Sequence, residues 1–218
     1  ALDDPVSKYI PAFKNQRVRA LAPQGPMLRS PTVPVARDIT VRDCLRNTTG
    51  ITTARKAPMS YLAEFKDIVS KAGITSSPSA AANIRERVDA LAQLPLESQP
   101  GTQFEYQVGY PIVGVVLETV TGRTLEEFFQ ERIFRPLGMK DSSFYLEKSK
   151  LGRFPTLYGP VEKDGTWRLT VNEEPAKSEK VVGPKTYFEA GGGGGGVLST
   201  AADYARFAQM LLNKGELE

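Results

Sequence analysis

Residues 110–138 read YPIVGVVLETVTGRTLEEFFQERIFRPLG, and this stretch decides the fold class. Ile112, Val113, Val116, Leu117 and Val120 recur at the three- and four-residue spacing of a helix face. The segment 110–120 is apolar over most of its circumference, which predicts contact on more than one side. Gly122 stands where a helix-terminating residue needs no Cβ. Thr124-Leu125-Glu126-Glu127 then has the form of a capping box, in which hydroxyl and carboxylate satisfy orphan amides at a helix start. The helix it opens turns Leu125, Phe128, Phe129 and Ile133 inward and stops at Pro136 and Gly138.

The same pattern extends outward. Thr40-Val41-Arg42-Asp43 caps a short helix that ends by Gly50. Residues 59–72 place Leu62, Phe65, Ile68 and Val69 on one face before Gly73. Pro78 and Ser79 open a helix with Ile84, Val88, Leu91 and Ala92 as its stripe, ended by Pro95. Ser199-Thr200-Ala201-Ala202-Asp203 caps a last helix, with Tyr204, Phe207, Ala208 and Leu211 on its apolar side, Met210 widening it, and Gly215 at its end. The first 38 residues carry six prolines, which exclude a long helix or a central strand. They predict a turn of helix near residues 6–9 and then an extended loop. Phe104 and Tyr106 alternate in a short extended piece after the turn Pro100-Gly101. Between residues 142 and 184 helical periodicity disappears, and Trp167, Leu169 and Val171 alternate after Lys163-Asp164-Gly165 as in a hairpin. The predicted fold is mainly α with a small antiparallel β element, α+β. It divides into a Pro-rich loop (1–38), a helical region (39–140), hairpin and loops (141–190), and a glycine run with the final helix (191–218). Nothing alternates strand with helix as a parallel sheet requires.

Composition excludes much chemistry. The 218 residues contain no histidine, which removes Ser-His-Asp and Cys-His catalysis and histidine-ligated zinc. A single cysteine, Cys44, excludes an internal disulfide and a cysteine-clustered metal site, and its apolar-periodic surroundings predict a buried thiol. The net charge of +3 is too small, and the basic residues too scattered, to indicate a nucleic-acid partner. No run approaches the roughly 20 apolar residues of a membrane span. No cofactor and no metal are expected. Lack of disulfides fits cytoplasmic and periplasmic or secreted proteins alike.

Few motifs carry chemistry. The six glycines 191–196 are followed by Val197-Leu198-Ser199, not by the Gly-Lys-Ser/Thr of a phosphate loop. They read as a place where another backbone or a ligand passes close by. Lys185-Thr186 is followed by Tyr187 where a Lys-Thr-Gly motif needs a small residue, and reads as loop. The paired carboxylates Asp3-Asp4 and Glu126-Glu127 read as turn and cap chemistry. Tyr106, in Phe104-Glu105-Tyr106, reads by itself as a half-buried residue of an extended segment.

The ordered set of segments resembles the serine beta-lactamase and penicillin-binding-protein superfamily over nearly the whole chain. Leu2-Asp3-Asp4-Pro5-Val6 to Tyr9-Ile10-Pro11 is similar to the phrase that follows the family's nucleophile helix. Ile39-Thr40-Val41-Arg42-Asp43-Cys44-Leu45-Arg46-Asn47-Thr48-Thr49-Gly50-Ile51 resembles "ITVRDLLTHTSGL". Pro100-Gly101-Thr102-Gln103-Phe104-Glu105-Tyr106 resembles "PGTxFxY", and Ile133–Met139 and Gly194–Tyr204 are also close. Tyr106-Gln107-Val108, where class C beta-lactamases carry Tyr-x-Asn, with Gly114 beyond it, is more similar to the family VIII carboxylesterases.

That resemblance implies the helical subdomain of a beta-lactamase/DD-peptidase-like fold and hydrolysis through an acyl-serine. Tyr106 would be the catalytic phenolate or proton relay, and Gly194, Gly195 and Gly196 would line the substrate pocket. In the family the nucleophile is the serine of Ser-x-x-Lys. No serine here has a lysine three positions on, and no Lys-Thr-Gly is present. The expectation is an internal fragment, inactive alone, of an enzyme acting on a small ester, amide or beta-lactam. Its partners would be the missing parts of that fold, or other copies through an exposed apolar face. A non-catalytic helical binding module and an inactive penicillin-binding homologue stay open. The coding sequence on either side separates these readings.

Overall fold

The computed structural model of the chain describes residues 1–20, 31–51, 84–106, 109–174 and 196–216. It forms two compact units, Ala1–Leu125 and Glu126–Glu218. The expected helix over 59–72 and the start of the one at Pro78 lie outside the described residues.

In the first unit Pro5 and Pro11 start two 3₁₀ turns, Val6–Lys8 and Pro11–Phe13, as their preset φ favours. The expected loop beyond them contains a ribbon: β1 (Arg17–Arg19) pairs antiparallel with β2 (Thr32–Pro34). The prolines exclude long strands, but Pro34 sits at a strand end, where a ladder donor is dispensable. Leu96 adds to the other edge of β1, donating to the Arg17 carbonyl at 2.8 Å and accepting from Arg19 N–H at 2.9 Å. Among the described residues three helices follow: α1 (Val41–Arg46), α2 (Ile84–Leu91) and α3 (Gly109–Thr121). Their inner faces and the N-terminal turns share a core that includes Val6, Ile10, Cys44, Val88, Leu96 and Ile112. Burial pushes the Cys44 thiol up to about 12, so it is an inert core residue.

All four expected stripe residues of α2 and its exit are buried. On α3 the buried line is Ile112, Val115 and Val116, whereas Val120 is exposed. The stripe is rotated from its expected line because Gly109 and Gly114 set which side can come close. A Cβ on Gly109 would lie 2.7 Å from the Cys44 carbonyl carbon, and one on Gly114 would lie 2.9 Å from Leu125 Cδ1. The glycines seat α3 against α1 and Leu125 at backbone distance.

Asp43 ties α1 to its surroundings. The expected capping box is present: Thr40 Oγ1 accepts from Asp43 N–H at 3.2 Å and Thr40 N–H donates to Asp43 Oδ2 at 2.9 Å. Arg37 grips the same carboxylate with two nitrogens, at 2.6 and 2.9 Å. Asp3 and Asp4 are engaged as well. Asp3 pairs with Arg42 at 2.7 Å, and Asp4 accepts from Tyr9 and Lys8 at 2.5 and 2.8 Å.

The second unit opens in a helical run: α4 (Leu125–Phe129), a π-helical turn (Gln130–Phe134) and the single turn α5 (Arg135–Leu137). The wide turn shifts the inward face. Phe134, Leu137 and Met139 form the buried centre, with Phe129, Ile133, Phe207 and Met210 packed around it. Pro136 does not stop the run: it falls in the single turn α5, directly after the wide π-helical turn. Gly138 ends it at φ 65, and Met139 N–H closes back to the Phe134 carbonyl at 2.8 Å. Glu126 reaches beyond the helix start, accepting from Phe144 N–H at 2.6 Å and Gln130 Nε2 at 2.8 Å.

β3 (Leu157–Lys163) and β4 (Thr166–Glu173) form the expected hairpin. Asp164 and Gly165 have φ of 53° and 73°, the two positive values of a type I′ turn. The alternation puts Tyr158, Pro160, Trp167, Leu169 and Val171 on one face, yet that face is open and Leu169 is 74% exposed. The last helix, α6 (Ala201–Leu212), packs through Phe207, Met210 and a buried Asp203. Tyr204 and Leu211 of the expected stripe are exposed, and Leu212 is 77% exposed. Periodicity finds an apolar side but not which edge of it meets the rest of the unit.

Two outcomes follow for the first unit. Gly109→Ala forces α3 off the Cys44 carbonyl and should cost about 1–3 kcal/mol, the scale of overpacking. Thermal melting should show a drop of several degrees, while Gly152→Ala, which meets nothing within 4 Å, should melt near the parent temperature. At Asp43, burial works to raise the carboxyl pKa, but the Arg37 and Thr40 hydrogen bonds outweigh it and hold it below the ordinary value. The stability it contributes is therefore full above the unfolded value of about 4 and is lost as pH falls through the lower folded value. Asp43→Asn should be less stable at pH 6 and should lose less further stability between pH 4 and pH 2. Parallel pH-dependent losses in both proteins would refute this.

Candidate functional site

Tyr106 ends a segment that is docked residue by residue onto the exit of α1. Asn47 leaves that helix in the left-handed conformation, φ 54. Its carbonyl accepts Glu105 N–H at 2.8 Å, and the Thr48 carbonyl accepts Gly101 N–H at 2.7 Å. Thr102 closes the turn through its N–H and hydroxyl to the Gln99 carbonyl, at 3.1 and 2.7 Å. Gly101 has φ +87 and lies against the Arg37 guanidinium, where a Cβ would collide with Nη2. The segment is irregular rather than strand, and the chain re-enters regular structure at Gly109.

The side chains of this segment face outward. Tyr106 is 59% exposed, and Phe104 and Tyr110 are also exposed. The expectation of a half-buried strand tyrosine is not met, since backbone bonds and not side-chain burial hold the segment. The result is a phenol that a ligand can reach, on a backbone that is tied down. Such a group can give or take a proton at a substrate.

Of the three candidate glycines, Gly196 is described and buried, and Gly194 and Gly195 lie outside the described residues. Gly196 leads into a segment fastened within the second unit. Ser143 and Leu198 exchange backbone hydrogen bonds of 3.1 and 2.7 Å. The buried Asp203 carboxylate accepts from Asp141 N–H at 2.7 Å and Ser142 Oγ at 2.8 Å, and Ser142 and Ser199 hydroxyls lie 2.8 Å apart. Ser142 is 2% exposed and already bonded on both sides, so this serine–aspartate cluster is a fastening, not a nucleophile. Beside it Asp141 is held at about 2 by hydrogen bonds from Arg153 and Lys150. Tyr106 lies in the first unit and Gly196 in the second.

Sequence reading missed Arg37, which stood in the presumed loop, and missed that Asp43 does more than cap. The hidden signal was Gly101, whose missing side chain leaves room for the guanidinium. Among the described residues no three His, Cys, Asp or Glu side chains gather as metal ligands would, and no helix is long and apolar enough to cross a membrane.

The beta-lactamase family profile matches residues 1–218. An uncharacterised Mycobacterium tuberculosis protein is 31% identical over 218 residues, which is 100% of this chain and 49% of that protein. Lovastatin esterase of Penicillium rubens is 34% identical over 139 residues, 60% of this chain and 31% of the esterase. The unliganded simvastatin synthase structure from Aspergillus terreus superposes with a TM-score of 0.70 at 23% identity, covering 99% of this chain and 48% of the synthase. That likeness establishes a shared fold. The chain spans about half the length of the relatives matched along its whole length. By its match from end to end, it belongs to the beta-lactamase family.

Proposed function

We propose that this chain is an internal part of a serine hydrolase that cleaves small esters or amides through an acyl-serine, and that it corresponds to the helical subdomain and hairpin of that enzyme. The carrying observation is Tyr106, an exposed phenol on a tightly docked segment within a chain of this family. In this reading the nucleophilic serine and its lysine lie in sequence beyond the chain. Tyr106 takes the serine proton as Oγ attacks the carbonyl carbon, and passes it to the departing alkoxide or amine. Water then attacks the acyl carbon and gives a proton to Tyr106, which passes it to the serine Oγ as the acyl–oxygen bond breaks and the acid leaves. Gly194, Gly195 and Gly196 would take part in substrate binding, as the resemblance of their segment to the family implies. The esterase among the relatives supports an ester as substrate.

Expressed with its flanking coding sequence, the protein should hydrolyse simple esters, and Tyr106→Phe should lower kcat by roughly 10²–10⁴-fold, the usual contribution of a proton-transfer group. Residues 1–218 alone should gain no mass with a fluorophosphonate. Near-normal turnover of Tyr106→Phe, or an adduct on the short chain, would overturn the assignment.

The exposed apolar surface has a partner in the same reading. Trp167, Leu169 and Val171 of the hairpin and Tyr204, Leu211 and Leu212 of α6 stand open. We propose that the remainder of the enzyme covers such surface and that residues 1–218 alone self-associate through it. Light scattering across a concentration series should show a rising mean mass, and a constant monomer mass would refute this.

A further inference from the structure

We propose that the Arg37–Asp43 pair is a positioning element for Tyr106, acting through the backbone of residues 100–105 and touching no substrate itself. This deepens the proposed function and rests on Tyr106 being its proton relay.

The phenol can be placed only as well as the backbone that carries it. That backbone has two docking bonds, Gly101 N–H to the Thr48 carbonyl and Glu105 N–H to the Asn47 carbonyl. Both acceptors are themselves set by Asp43. Its carbonyl accepts from Asn47 N–H and, at 2.8 Å, from Thr48 N–H, and its carboxylate accepts from the Thr48 hydroxyl at 3.3 Å. One residue therefore orients the two carbonyls that receive the segment. Arg37 closes the other side. It holds Asp43 Oδ1 and Oδ2 in a two-pronged grip, and its Nη2 fills the space that a Cβ on Gly101 would need.

Capping of α1 does not account for this arrangement. The cap needs only Thr40 and Asp43, and both of its bonds are made without Arg37. Arg37 is 46% exposed and could lie along the surface, yet it is drawn onto the carboxylate beside Gly101. A guanidinium wedged between the carboxylate and the turn fixes the distance from α1 to residues 100–105. A small error in that distance moves the phenol relative to a bound substrate, and misplacement of about 1 Å can cost roughly 100-fold in rate.

The test separates positioning from stability. In the chain, Arg37→Gln keeps the Thr40–Asp43 cap and should speed amide exchange at Gly101 and Glu105 by at least about 10-fold, leaving Val115 and Val116 of α3 unchanged. Unchanged exchange at Gly101 and Glu105, or a uniform rise across residues 1–125, overturns the proposal. Gly101→Ala, which pushes the guanidinium away, should give the same local pattern by an independent route. In the enzyme with its flanking sequence, Arg37→Gln should lower kcat roughly 10- to 100-fold with KM nearly unchanged, and Arg37→Lys should restore part of the loss. Added to Tyr106→Phe, Arg37→Gln should cost less than about twofold more, because both changes remove the same contribution. A full further loss in that background overturns the proposal while Tyr106 stands. Normal turnover of Tyr106→Phe is the failure of the functional reading, and takes this inference with it.

Discussion

The Asp43 carboxylate is the constraint on which the first unit depends. It is buried, and a buried carboxylate is tolerated only with its charge met by hydrogen bonds and an opposite charge. Thr40 supplies two of those bonds from the helix start, Thr48 one from the helix exit, and Arg37 the countercharge. Each partner belongs to a different stretch of chain, so satisfying one side chain brings together the end of the N-terminal segment, α1 and the loop beyond it. Residues 100–105 then dock on that assembly through backbone bonds to the Asn47 and Thr48 carbonyls. The arrangement leaves the Tyr106 side chain largely exposed, which suits the proton relay proposed for it.

The second unit repeats the device with other residues. Asp203 is buried at the start of α6, and the Asp141 amide and Ser142 hydroxyl satisfy it. Glu126 and Gln130 hold the next residues of the same loop, and the Ser143–Leu198 exchange draws the segment after Gly196 alongside. Polar bonds from α4 and α6 therefore converge on residues 141–144, while the Phe134, Leu137 and Met139 core fills the space beneath. In both units a single buried aspartate at a helix start gathers an irregular segment whose position matters more than its secondary structure.

Hydrophobic burial divides unevenly over the chain. Helix α2 buries Ile84, Val88 and Leu91 and α3 buries Ile112, Val115 and Val116, whereas the hairpin leaves its apolar face open and α6 leaves Tyr204, Leu211 and Leu212 exposed. A two-stranded hairpin has no way to bury its own apolar face and is marginal alone. The proposal that further structure covers this surface rests on that exposed pattern.

The positions of the described helices, the hairpin with its Asp164-Gly165 turn, and the Thr40–Asp43 cap were legible in the residues, because each is a local property set by neighbours three or four positions apart. The absence of histidine and the lone buried Cys44 narrowed the chemistry just as directly. Local pattern could not say that Val115 rather than Val120 would face inward, that Pro136 would sit inside a helical run widened by a π turn, or that Tyr204 and Leu211 would be left open. Those outcomes depend on which element arrives opposite. The link from Arg37 through Asp43 and Gly101 to Tyr106 joins residues up to 69 positions apart, and no local pattern spans that distance. Only the folded chain decides it, because a carboxylate is satisfied by whichever donors the tertiary structure delivers to it.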